Sequence, residues 1–258
     1  MEIKTLTLDR KKLDAMPEDE RALFLLASHA LNEMNIFVKI FHWSVEGDDA
    51  SAIVKKGADT IFLTIIKTLC AKMYEVWNML KINYFNTKLK VSLEHLLSEK
   101  SKEALKYLGK SFAAQSPVAV VRNKSAFHYD SDQVIKSYEL IGNDKELDIY
   151  IADGLNHLCW FAEIFVNASL LREIGGDDYQ NGFNILQEDS TRVHRHLTAL
   201  LFDLTEIFVL KYFGESLEEL GMQSMEISAP RSDSVHIPFF VELVGADAAS
   251  ASDEGGDS

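Results

Sequence analysis

Residues 120–132, Val-Val-Arg-Asn-Lys-Ser-Ala-Phe-His-Tyr-Asp-Ser-Asp, contain side chains that could bind a phosphate and transfer a proton. The guanidinium of Arg122 presents a planar fork of donors that matches two phosphate oxygens. The imidazole of His128 can donate or accept a proton near neutral pH. Asn123 follows the arginine, and Tyr129 and Asp130 follow the histidine. Together these residue types form a minimal set for phosphodiester chemistry.

The rest of the chain predicts a helical scaffold for this cluster. Its 258 residues are 47% hydrophobic, which is ample material for a core. They include only four prolines and 13 glycines, so long uninterrupted helices are favoured over strands. The fold class predicted is all-α, an antiparallel helical bundle, with one short strand or hairpin allowed near residues 147–151, where Leu-Asp-Ile-Tyr-Ile alternates.

Apolar spacing and cap residues mark the individual helices. Pro17 and the acids after it begin a helix at 18–45, and a second helix at 51–84 should pack against the first as an antiparallel hairpin. One or two shorter helices follow in 85–115. Ser116-Pro117 begins a helix that should run to about Tyr129 and carry the cluster at its end. The remaining helices are predicted at 131–141, 155–174 and 179–213.

The predicted organisation is a single domain over residues 1–220 with an N-terminal arm, followed by a C-terminal extension over 221–258. Residues 155–174 are apolar almost throughout, which is typical of a helix at the centre of a bundle. Residues 235–240 form an apolar patch that either docks back onto the chain or binds a partner. From about residue 245 the composition is typical of disorder.

Charge is unevenly distributed along the chain. The net charge of −14 argues against a protein that coats nucleic acid without specificity. Residues 85–136 nevertheless contain nine lysines and arginines and five acids, a local balance of 9 − 5 = +4. This basic strip is either a solvated helix face or a surface that attracts a polyanion.

Targeting and metal-binding patterns are few. The start Met-Glu-Ile-Lys-Thr has no apolar core, and there is no run of about 18 uncharged apolar residues, so we expect a cytoplasmic protein with no membrane segment. Cys70 and Cys159 lie in apolar runs and should be buried. His29 and Glu33 have a metal-ligand spacing, but no partner pair accompanies them. We therefore expect no metal and no cofactor.

Two further histidines, His194 and His196, lie in the segment Thr191–His196, whose sequence is Thr-Arg-Val-His-Arg-His. His194 and His196 should face opposite ways, because two residues on a helix correspond to about 200°. We expect them at a solvated polar edge, where Arg192 and Arg195 could help to form a phosphate site.

Arg122 to Asp130 resembles the signature of the HEPN superfamily, in which an arginine and a polar residue precede a histidine by four to six intervening positions. Here five residues intervene. The match also includes the late position in a helical bundle, after a long helical hairpin. Arg231 and His236 have a similar spacing in the C-terminal extension, so spacing alone is permissive.

The resemblance implies a metal-independent endoribonuclease of toxin or defence type, acting as a homodimer whose two motifs form one composite site. His128 would act as the general acid or base, and Arg122 would hold the scissile phosphate. Asn123, Lys124, Tyr129 and Asp130 would have supporting or substrate-binding roles. On an ideal helix Arg122 and His128 point about 120° apart and lie about 9 Å apart along the axis, so an irregular helix or a second copy is required.

The toxin interpretation implies an antitoxin or another protein as partner. Two alternatives to it remain open at this stage. One is a non-enzymatic helical module that binds a nucleotide or a protein partner. The other is a structural interaction protein, in which Arg122 and His128 only form caps and internal ion pairs.

Overall fold

The computed structural model describes residues 1–47, 49–113, 116–124, 131–142, 145–176, 178–214 and 222–242, without the side chains of 113, 133, 136 and 140. The described residues form an all-α bundle with one small two-stranded sheet. The elements are β1 (Glu2–Thr5), α1 (Arg10–Ala15), α2 (Glu18–Trp43), α3 (Ala52–Leu80), α4 (Lys88–Leu93), α5 (Glu99–Ala113), α6 (Pro117–Lys124), α7 (Ser131–Leu140), α8 (Trp160–Gly175), α9 (Tyr179–Phe213) and β2 (Gln223–Glu226).

Helices α2 and α3 form the predicted antiparallel hairpin. Phe41 near the end of α2 packs on Phe62 near the start of α3, with 4.4 Å between ring centroids. Closer to the middle of both helices, Lys72 Nζ lies 2.7 Å from Glu33 Oε1. The pairing of late with early positions establishes the antiparallel direction. A π-helical turn at Lys81–Phe85 then leads towards α4.

Helix α9 is the centre of the bundle, because it packs against α1, α2, α3, α5, α6 and α8. Its apolar stripe at three- and four-residue spacing is fully buried and includes Val193, Leu197, Leu204 and Phe208. At one end, Glu20 of α2 accepts hydrogen bonds from Lys211 Nζ and Tyr212 Oη of α9. These contacts fix the direction of α9 against α2.

The predicted central position of residues 155–174 is wrong. Helix α8 begins at Trp160, and its buried residues are limited to Asn167, Ala168, Leu170 and Leu171. It lies between α7 and α9, and Tyr138 of α7 stacks on Phe165 with 5.2 Å between centroids. Helix α8 is therefore not central in spite of its apolar composition, because α9 occupies the centre of the bundle.

The sheet lies at the chain ends. Strands β1 and β2 are antiparallel, with Ile3 opposite Met225. Near 147–151, where a strand was allowed, the chain forms one isolated bridge between Tyr150 and Leu158.

The apolar patch 235–240 contacts the chain itself. The backbone N–H of Ile237 donates to the Trp43 carbonyl at 2.8 Å. Phe239 packs so closely on Gly57 that a Cβ added to Gly57 would lie 2.7 Å from the Phe239 Cβ. The patch therefore docks back onto the junction of α2 and α3.

Other expectations have mixed outcomes. Cys70 is buried, whereas Cys159 is exposed, so the expectation for Cys159 was wrong. Among the described residues, no helix combines the length and hydrophobicity needed to cross a bilayer. The region predicted to be disordered from about residue 245 lies outside the described residues.

Candidate functional site

Helix α6 presents the first half of the motif. The Ser116 hydroxyl accepts from the Ala119 N–H at 3.3 Å, and Pro117 occupies the first helical position, as the sequence predicted. Val118, Ala119 and Val121 form the buried face of the helix. The C-terminal turn carries the polar residues 122–124, whose side chains therefore extend from a helix that is held by its apolar face.

The Arg122 side chain lies across α3. Its guanidinium carbon is 4.9 Å from the centroid of the Tyr74 ring, which is a cation–π contact. One terminal nitrogen lies 3.3 Å from Glu75 Oε1, and the other donates to Asn123 Oδ1 at 3.2 Å. The side chain remains 40% exposed and Glu75 remains 56% exposed. Arg122 is thus held in position but accessible to solvent.

Lys124 is more firmly paired than Arg122. Its Nζ donates to both carboxylate oxygens of Glu173 on α8, at 2.6 and 2.7 Å. This pair joins the end of α6 to the last turns of α8. Lys124 therefore has a clear structural role beside the supporting role that the motif implies.

The second half of the motif lies outside the described residues. His128, Tyr129 and Asp130 belong to the segment 125–130, and α7 begins directly after it at Ser131. The predicted extension of the helix to about Tyr129 therefore stays a prediction. The position of His128 relative to Arg122 also stays a prediction.

Aromatic packing connects Arg122 to the basic strip. Tyr74, under the guanidinium, contacts Phe112 at the end of α5 with 5.9 Å between centroids. Phe112 also stacks on Trp77 at 5.0 Å. Lys106 and Lys110 of α5 are exposed and form no ion pair within 4 Å among the described residues. The helix whose end packs against the Tyr74 ring therefore also carries exposed positive charge.

The remaining candidate histidines have separate environments. His29 Nε2 lies 3.7 Å from Glu33 Oε2, and that carboxylate also binds Lys72. His157 Nδ1 accepts from the Ala152 N–H at 3.1 Å, which supports the bend around the Tyr150–Leu158 bridge. Among the described residues, no group of three or more histidines, cysteines or acids could hold a metal ion.

His194 and His196 face different helices, and the expectation of a solvated edge was wrong for His194. His196 packs on Tyr107 of α5 at 4.3 Å between centroids. His194 faces α2, and its Nε2 is shielded from solvent with no hydrogen-bond partner among the described residues. The spacing of α9 residues indicated opposite faces, but only the packing of α2 revealed the burial.

Comparison with known proteins adds no assignment. No family model matches the sequence, and neither a curated protein nor a solved structure is significantly similar to it.

Proposed function

We propose that this chain is a cytoplasmic, HEPN-like, metal-independent endoribonuclease of toxin or defence type. Arg122 binds the scissile phosphate, and His128 transfers the proton to or from the reacting oxygens. Asn123 orients the guanidinium or the phosphate. Two copies of the motif form one composite site across a homodimer. A toxin of this kind would be restrained by a protein partner that covers the site.

The main support for the proposal is the exposed ion pair between Arg122 and Glu75, in which a phosphate could replace the carboxylate. Its pair with Glu75 is long, at 3.3 Å, and both side chains are solvated. Exposed ion pairs of this kind contribute about 0.2–1 kcal/mol. A phosphate that binds the guanidinium through two parallel hydrogen bonds is a stronger partner. RNA could therefore displace Glu75 while the Tyr74 ring keeps the arginine in place.

Exposed lysines support an RNA substrate in spite of the acidic net charge. Lys106 and Lys110 project from α5, whose last residues contact the Tyr74 ring. Local positive charge of this kind attracts the phosphate backbone independently of its sequence. The acidic remainder of the surface would confine that attraction to the strip.

The homodimer is supported by an apolar face next to the motif. Helix α7 follows residues 125–130 directly, and its Ile135 and Tyr138 side chains are 62% and 69% exposed. Val134 on the same helix and Val166 on α8 are also exposed. Several exposed apolar side chains on two packed helices are typical of a protein interface. A second copy docked here would place two motifs close to one two-fold axis.

Cleavage of a mixed RNA pool by the purified protein in EDTA tests the proposal. Arg122→Ala and His128→Ala should each lower the rate by at least about 100-fold, because each removes a group that acts in the transition state. Arg231→Ala and His236→Ala are matched controls, since they remove the same residue types at similar spacing from the C-terminal extension. Both controls should keep the wild-type rate.

Other outcomes would refute the enzyme or the composite site. Equal traces of cleavage in all variants would identify a contaminant. RNA or nucleotide binding that depends on Arg122 but occurs without cleavage would favour the alternative, a non-enzymatic binding module. In sedimentation, Ile135→Glu should dissociate the dimer, whereas Val91→Glu, at an exposed position on α4, should not. A wild-type monomer that still cleaves RNA would exclude the composite site.

A further inference from the structure

A second polar site lies between α2 and α9, away from the motif. A cavity of about 260 Å³ is lined by Val38, Phe41 and His42 of α2, by Leu69 of α3, and by residues of α9. The α9 residues are Ser190, Thr191, His194, Arg195 and Thr198. Their spacing of one, three and four residues places them on one face of the helix.

The cavity is lined by side chains that are positively charged or become so when they bind a proton. Arg195 lines the cavity, is exposed, and forms no ion pair within 4 Å among the described residues. His42 and His194 face the cavity from opposite helices. Among the described residues, no acid lines the cavity, although Glu188 lies nearby along α9. An arginine and two imidazoles with no carboxylate between them are a suitable set of donors for an oxyanion.

The burial of His194 indicates that a partner is missing. Its Nε2 is shielded from solvent and has no hydrogen-bond partner among the described residues. Burial lowers the pKa of His194, the Met34 carbonyl opposes this, and the charge of His42 lowers the pKa further. Buried polar atoms of proteins are nearly always hydrogen-bonded, so this unpaired nitrogen of a residue that lines the cavity is a candidate to gain a bond when a ligand binds.

Two of the three hydroxyl groups that line the cavity cannot donate a hydrogen bond to a ligand. Ser190 and Thr198 already donate to backbone carbonyls of their own helix, at 3.1 Å and 2.9 Å. Their oxygens can therefore only accept a hydrogen bond, for example from a protonated oxygen of the ligand. Thr191 forms no hydrogen bond among the described residues and can donate. The donors are then Arg195, Thr191 and the two imidazoles.

We propose that this cavity binds a phosphate group, supplied by a small phosphomonoester, between His42, His194 and Arg195. The guanidinium takes two oxygens. The negative charge of the bound phosphate favours the protonated form of His194 and so opposes the effect of its burial, and its Nε2–H and the His42 ring can then donate to the other oxygens. Val38, Phe41 and Leu69 form an apolar wall that excludes water from one side. The cavity volume suits a small ligand rather than a folded polymer. This inference does not rest on the proposed ribonuclease activity.

Titration of the full chain with inorganic phosphate at constant ionic strength tests the site. Phosphate binding is measured by calorimetry and by the ¹H–¹³C signals of the histidine rings. Those signals are assigned with single histidine variants. Wild type should bind saturably with a Kd of about 1 mM or lower. The signals of His42 and His194 should shift, and that of His29 should not.

Two pairs of exposed side chains supply variants and matched controls that should fold normally. Arg195→Gln should weaken phosphate binding by about tenfold or more, whereas Arg192→Gln, three residues away on α9, should change it by less than about threefold. On α2, His42→Gln should weaken binding and His29→Gln should not. Ribose 5-phosphate binding tighter than phosphate would identify a small phosphomonoester as the source, and single-stranded RNA binding equally tightly would overturn that choice.

The proposal fails in either of two ways. It fails if wild type shows no saturable binding up to about 10 mM phosphate, well above the expected Kd. It also fails if Arg192→Gln and Arg195→Gln weaken binding equally, because that result would indicate diffuse charge on α9 and no defined site. Neither result bears on RNA cleavage by Arg122 and His128, so the two proposals stand or fall separately.

Discussion

Glu75→Gln separates a phosphate-binding Arg122 from a structural one. Glu75 Oε1 lies 3.3 Å from the Arg122 guanidinium, where a phosphate oxygen would have to bind. If Arg122 binds RNA, the carboxylate competes with the phosphate, and its neutralisation should tighten RNA binding. If Arg122 only tethers α6 to α3, the same substitution should lower stability and leave RNA binding unchanged.

The structure bounds the size of this effect. Exposed ion pairs contribute about 0.2–1 kcal/mol, and both partners here are largely solvated. Releasing the guanidinium should therefore tighten RNA binding by a factor of about 1.4 to 5 at 25 °C. The free energy of unfolding should fall by no more than the same amount, which corresponds to a Tm decrease of about 4 °C or less.

Fluorescence anisotropy with a labelled single-stranded RNA measures the binding at low salt. All proteins carry His128→Ala, so that cleavage does not remove the probe. The decisive comparison repeats Glu75→Gln in an Arg122→Gln background, where no arginine remains to be released. Glu173→Gln is a parallel variant, because it releases Lys124 from its own pair.

The reasoning is refuted if Glu75→Gln tightens binding equally with and without Arg122. That result would mean that the carboxylate repels RNA generally and that the arginine does not contact phosphate. Weaker binding in Glu75→Gln than in the parent protein would also refute it, since the ion pair would then be needed to position Arg122.

Two further predictions concern stability. Gly182→Ala should cost about 1–3 kcal/mol in urea unfolding, because the added Cβ would lie 2.0 Å from the Leu171 carbonyl oxygen, whereas Gly109→Ala, where a Cβ meets nothing within 4 Å, should be neutral or stabilising. The lowered pKa of His194 means that the unfolded chain binds the proton more readily, so stability should rise with pH between the folded pKa and the unfolded value of about 6.5 and then level off. His194→Gln should reduce this dependence between pH 5 and 7.5, and an unchanged slope would contradict the assigned burial.

The sequence predicted the helices well because a helix depends on spacing and caps within a few residues. Pro17 and the acids after it mark the start of α2, and Ser116-Pro117 marks the start of α6. The hairpin of α2 and α3 follows from two long apolar stripes joined by a short connection. The position of α8 in the bundle could not be predicted from its composition, because several helices are rich in apolar residues and only one lies at the centre.

The candidate motif could be proposed from sequence because its residue types and spacing lie within nine positions. The environment of its side chains depends on partners that are distant in the chain. Glu75 and Tyr74 reach Arg122 from α3, and Glu173 reaches Lys124 from α8. Local spacing carries no information on such pairs. The sequence therefore identified Arg122 as a candidate, and the structure decided that it is accessible while Lys124 is bound.

The α2–α9 cavity marks the limit of sequence reasoning most clearly. From the sequence, His194 and Arg195 could be placed on a helix and His42 on another, and each helix could be predicted with confidence from its own periodicity. Their meeting depends on the antiparallel packing of α9 on α2, which is set by distant contacts such as Glu20 with Lys211. Secondary structure was thus determined by local sequence, whereas the convergence of charged side chains was decided only by tertiary packing, because cavities form between elements and not within them.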